Sequence, residues 1–78
     1  MSDYDVAYEH PIFEKRYIVT FNEANHVISV RVVVRHGKGN FVRNYERVVW
    51  TNRSPQTSKR ILDVILGARL IHQKGGGT

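Results

Sequence analysis

The chain has 78 residues, no cysteine, and twelve Lys and Arg against seven Asp and Glu, a formal charge of +5. At this length there is one small core and no room for a cofactor domain beside a substrate domain. Disulfides, thiolate zinc sites and cysteine nucleophiles are excluded, and no apolar run approaches the roughly 18 residues of a membrane span.

Charge is unevenly placed. Five of the seven acids (Asp3, Asp5, Glu9, Glu14, Glu23) lie in residues 1–23, where only Lys15 and Arg16 oppose them, a net of −3. Residues 24–78 carry ten bases against Glu46 and Asp63, a net of +8. Eight of the twelve bases are arginine, whose planar fork suits phosphate or carboxylate. A pI near 10.0 is the electrostatic footprint of a nucleic-acid binder, or of a basic surface that meets an acidic protein. An acidic front end is the opposite of a secretory or transit signal, so the expected location is cytoplasmic.

Taken in chain order, residues 1–14 form an acidic segment in which Tyr4-Asp5-Val6-Ala7-Tyr8 reads either as a short edge strand or as a frayed terminus. Pro11 ends any strand there or confines it to an edge. Arg16-Tyr17-Ile18-Val19-Thr20-Phe21 is almost wholly β-branched or aromatic and reads as a strand. Asn22-Glu23-Ala24-Asn25 suits a turn. His26 to His36 is the strongest strand pattern of the chain, and Gly37-Lys38-Gly39-Asn40 closes a second hairpin. Phe41 to Thr51 is the next strand. Ser54 then reads as a helix N-cap and Pro55 as the first helical residue. The helix is expected from Pro55 to His72, with Ile61, Val64, Ile65, Ala68 and Ile71 on one apolar face. Gly75-Gly76-Gly77 falls in a flexible tail, residues 74–78.

The expected fold is therefore α+β. A three-stranded antiparallel meander, four-stranded if residues 4–8 add an edge, carries one C-terminal helix on one face, the single domain spanning 15–73. Strand alternation places Ile28, Val30, Val32 and Val34 toward the helix, with Tyr17, Val19 and Phe21 beside them. Val27, Ser29, Arg31, Val33 and Arg35 then face water. The strand after Gly39 offers two sets, Phe41/Arg43/Tyr45/Arg47/Val49 and Val42/Asn44/Glu46/Val48/Trp50. The second is the better core set at its Val48–Trp50 end, although this strand alone does not fix the register and a bulge is compatible with it.

On that assignment the open face displays Arg16, Arg31, Arg35, Arg43, Tyr45 and Arg47, with Lys38 at the hairpin tip. Guanidinium groups pair phosphate oxygens and an exposed ring stacks a base. This set is the candidate nucleic-acid-binding site, although antiparallel sheets also commonly keep one polar face in water. The element order is similar to that of small three-strand-plus-helix DNA binders such as the arm-binding domains of tyrosine integrases, a likeness that implies a sheet laid against the DNA groove. Gly37-Lys38-Gly39 followed by Ser58-Lys59-Arg60 at a helix start faintly resembles the C-terminal half of a double-stranded-RNA-binding domain, without that family's first helix.

Leu62, Leu66 and Leu70 recur at four along a helix ridge offset from the core face. They are the candidate protein interface, covered either by a second copy in a homodimer or by Ile12 and Phe13 folding back. His10, His26, His36 and His72 lack metal-ligand spacing, and no phosphate loop or nucleophile arrangement is present, so neither a metal, a cofactor nor an enzyme is expected. The leading expectation is a small basic accessory domain that binds nucleic acid, DNA ranking above RNA, through the arginines of the open face. The alternative is a small protein-interaction module, an inhibitor or adaptor of the kind phages encode, acting through a sheet edge, the arginine face or the leucine ridge.

Overall fold

A computed structural model describes residues 2–53 and 56–76, with side chains through Gln73. Its elements are β1 (Tyr4–Glu9), β2 (Arg16–Phe21), β3 (Val27–His36), β4 (Arg43–Thr51) and α1 (Lys59–Gly76). The strands form one four-stranded antiparallel sheet in the order β1-β2-β3-β4. The fold is thus α+β in its four-stranded version. β1 pairs with β2 along its whole length, from Tyr4 opposite Phe21 to Glu9 opposite Arg16. Pro11 falls in the connection, where its missing N–H costs no ladder bond.

The core is a single layer between the sheet and α1. Val19, Val30, Val64 and Ala68 are completely buried, with Tyr17, Phe21, Val27, Val32, Ile61 and Ile65 around them. β2 turns Tyr17, Val19 and Phe21 inward, as its alternation predicts. β3 departs from strict alternation. Thr20 pairs with Ser29 but Phe21 pairs with Val27, so Ile28 is the extra residue of a bulge and Val27 takes its place in the core. On the helix, Ile71 is exposed, contrary to its place in the apolar pattern, and half-buried His72 turns inward to Phe21 and Tyr4.

α1 begins four residues later than the sequence predicts. Ser58 is its cap: the hydroxyl accepts from the Ile61 N–H at 3.2 Å and the carbonyl from the Leu62 N–H at 3.0 Å. Just before this cap the Thr57 hydroxyl accepts from the Trp50 indole N–H at 2.8 Å. Ser54 and Pro55, the expected cap and first residue, lie outside the described residues. At the far end α1 runs to Gly76, so 74–76 belong to the helix rather than to a tail; 77–78 lie outside the described residues.

α1 lies mainly over β1, with less contact to β2 and β3, and reaches little of β4. Gly67 permits that closeness, because a Cβ there would overlap the buried Tyr8 ring and hydroxyl. β4 is consequently solvated on both faces for most of its length. It is also an edge strand, and it carries the charges and the bulge that discourage sheet extension. Leu62, Leu66 and Leu70 stay 48%, 50% and 60% exposed. The N-terminal segment does not cover them: Ile12 is exposed, and Phe13 stacks on His10 beneath the Arg60 guanidinium.

Candidate nucleic-acid interface

The register of β4 decides where the arginines lie. Val30 pairs with Trp50 but Arg31 pairs with Val48, so Val49 is the extra residue of a second bulge. Before it, Arg47 lies opposite Val32, Tyr45 opposite Val34 and Arg43 opposite His36. Residues directly opposite in a ladder share a face. Arg43, Tyr45 and Arg47 therefore lie on the helix side of the sheet, whereas Arg16, Arg31 and Arg35 lie on the open side. The single stripe expected from the sequence does not exist. The physical reason is the Val49 bulge, which puts Arg47 rather than Val48 on the helix side; that face is only half-buried at Val34 and exposed at Arg43 and Tyr45, so charged and polar side chains are tolerated there.

Of the open-face arginines, Arg31 is committed to the fold. Its guanidinium donates to Asp5 Oδ2 at 2.8 Å and to Glu46 Oε2 at 2.6 Å, with a longer contact of 3.4 Å to the Thr20 hydroxyl. The Thr20 hydroxyl in turn donates to Asp5 Oδ1 at 2.7 Å. The four residues come one from each strand, so the network crosses the whole sheet. The Thr20 hydrogen bond is the largest influence on the Asp5 carboxyl; burial opposes it, and the hydrogen bond and charge of the Arg31 guanidinium add to it, so the carboxyl is held below its ordinary value. With its side chain only 26% exposed and two carboxylates on it, Arg31 presents no net positive charge to a ligand.

A basic cleft forms elsewhere, where β2 ends. The β2–β3 ladder stops at Tyr17 opposite Val32, while β3 and β4 continue as a two-stranded ribbon to His36 and Arg43. The β1–β2 connection turns away from that ribbon and leaves a hollow of about 430 Å³ lined by Lys15, Arg16, Arg35, Tyr45, Arg47, Glu14 and the valines 32–34. Because it lies at the end of a strand, it gathers side chains from both faces. A second hollow of about 370 Å³ adjoins it, shares Lys15 and Arg47, and is bordered by Ser58 and Arg60 of the first turn of α1. That turn contains no acidic residue, so the positive end of the helix dipole is not offset there. Among the described residues, Lys15, Arg16, Arg35 and Arg47 form no ion pair, since both salt bridges belong to Arg31.

Of the seven residues expected from the sequence, the cleft brings together Arg16, Arg35, Tyr45 and Arg47. Arg43 is one alternation further out on the Tyr45 face, and Lys38 is in the hairpin turn, where its carbonyl accepts from the Phe41 N–H at 3.1 Å. Arg31 is withdrawn from the set. Lys15 and Arg60 are not among the seven: Arg60 belongs to the Ser58-Lys59-Arg60 helix start noted above, Lys15 has no local signal, and the fold brings Lys15, Arg47 and Arg60 to one hollow. Phe13 stacks on His10 at 4.2 Å between ring centres and carries the Arg60 guanidinium at 4.5 Å. His10 anchors this corner through Nδ1, which accepts from the Ile12 and Phe13 N–H groups at 3.1 and 3.3 Å.

Fold and site together define a small sheet-and-helix domain with a basic cleft at the end of its second strand. No protein-family model matches the chain, and no curated protein or solved structure matches it either. Among the described residues no helix is long and apolar enough to cross a membrane.

Proposed function

We propose that the chain is a non-enzymatic nucleic-acid-binding domain that holds phosphates in the cleft at the end of β2 rather than on the open face of the sheet. The observation that supports this reading is the convergence of Lys15, Arg16, Arg35 and Arg47 on one hollow, without ion pairs among the described residues, around the exposed ring of Tyr45. Cations left without carboxylate partners retain their charge for a ligand, and a concave arrangement concentrates their field. Glu14 lines the hollow with these four bases, and Glu9 lies opposite Arg16 in the ladder without an ion pair to it, so positive charge predominates. Arg43 and Lys38 extend the positive surface along the ribbon.

Titration of a labelled oligonucleotide by fluorescence anisotropy at about 50 mM salt tests the reading. Affinity should fall steeply with salt, each lost phosphate contact lowering the slope of log K against log salt by roughly 0.7 to 0.9. Absence of binding to every strand and duplex at tens of micromolar contradicts it.

The exposed leucine ridge of α1 favours a second reading, a protein-interaction module whose first candidate partner is another copy of the chain. Sedimentation at two concentrations, with Leu66→Glu as the control, separates the two readings. A ridge contact raises the mass of the unaltered chain and is lost in the variant, whereas oligonucleotide binding by the cleft is the same in both.

A further inference from the structure

The proposed function leaves the kind of nucleic acid open, and the cleft itself discriminates. We infer that it takes a single strand, with an unpaired base stacked on Tyr45 and the neighbouring phosphates held by Arg47 and Lys15, an inference that rests on the nucleic-acid reading of this cleft. Three observations carry it. First, the hollow of about 430 Å³ is walled by the β1–β2 connection on one side and the β3–β4 ribbon on the other. That volume accommodates a nucleotide or two, whereas a duplex offers a convex rod whose base edges sit at the bottom of grooves roughly 8 Å deep. Second, Tyr45 is 49% exposed although it lines a hollow, and its ring contact is edge-type, His36 standing 6.5 Å away at 68°. No described ring is stacked on it, so a π-face remains for a ligand. A base inside a duplex already has both faces stacked, and freeing one costs a few kcal/mol. Third, the same ribbon ends in Phe41, 87% exposed beside Lys38, a second ring with a cation next to it. Exposed rings set among cations suit a strand whose bases are splayed out, and this mode is tolerant of sequence because every base has a π-face.

Strands of DNA and of RNA share this chemistry, since neither stacking nor phosphate pairing reads the 2′-hydroxyl. The test is an anisotropy titration of the full chain against three labelled probes of one mixed sequence: single-stranded DNA, single-stranded RNA and the DNA duplex. At least one single strand should bind about tenfold or more tightly than the duplex. Tyr45→Ala should weaken single-strand binding on the order of 5- to 100-fold, leave duplex binding within about twofold, and be rescued by Tyr45→Phe, which keeps the ring. The exposure of Tyr45 on an edge strand allows the alanine variant to fold, and its melting curve checks that. Duplex binding as tight as the tighter of the two single strands, or equal losses for strand and duplex in Tyr45→Ala, overturns the inference and leaves the proposed function standing. Failure of all three probes to bind overturns both.

Discussion

Arg31 and Arg47 stand on neighbouring strands with opposite fates. Arg31, on the open face, touches Asp5 and Glu46 at 2.8 and 2.6 Å and ties the four strands together. Arg47, on the helix side, lines both basic hollows and has no ion pair among the described residues. The two are alike in sequence, each an arginine beside valines in a β-rich run. What separates them is the residue that the ladder places nearby. An arginine in a strand is a fastener where carboxylates lie within reach, and where it forms no ion pair it keeps its charge for the ligand proposed above.

The comparison can be broken or sharpened by substitution. The largest effect removes the layer that both faces share. Phe21→Ala deletes a ring with 1% exposure and should cost about 3–5 kcal/mol, much of the stability of a domain this small, as a urea transition will show. Gly67→Ala comes next. It gains about 1 kcal/mol of helix propensity but forces Tyr8 to move, for a net loss of about 1–2 kcal/mol in the same assay, with oligonucleotide affinity per folded molecule unchanged. Arg31→Ala should lower stability by only about 1 kcal/mol, because its carboxylate partners are themselves substantially exposed. The smallest effect is a pH dependence. The Asp5 carboxyl titrates below its ordinary value of 3.8, so its contribution is fully present above that pH and is lost as pH falls through the lower folded value. Asp5→Asn should remove that component from the acid unfolding curve and lower stability slightly at neutral pH, where the carboxylate's contribution is fully present, so that variant and unaltered chain converge as pH falls.

Much of the fold is legible in the sequence because local signals agree there. β2 is bounded by its own β-branched and aromatic content, the Asn22–Asn25 turn by its asparagines, and the hairpin after β3 by Gly37, whose φ of +120° and close approach to the Phe41 carbonyl exclude a side chain. The helix start differs from the sequence expectation because a serine that can cap occurs at 58 as well as at 54, and the local sequence does not choose between them; the structure caps with Ser58. The site was half legible. The sequence points to Arg16, Arg35, Tyr45 and Arg47, but the face that Tyr45 and Arg47 occupy depends on the bulge at Val49, which shifts the alternation of β4 by one residue. That bulge has no glycine or other local marker. Lys15 and Arg60 enter only through the tertiary placement of the β1–β2 connection and the first turn of α1.

The division of labour between the two arginines is tested most directly by measuring the affinity of Arg47→Ala and Arg31→Ala for one labelled single-stranded oligonucleotide at low salt, alongside their melting curves. Arg47→Ala should weaken binding several-fold and flatten its salt dependence by roughly 0.7 in slope, at unchanged melting temperature. Arg31→Ala should melt earlier and bind as the unaltered chain does. Equal losses of affinity in both variants, or a loss in Arg31→Ala alone, would contradict the assignment of ligand binding to the cleft and of Arg31 to the fold.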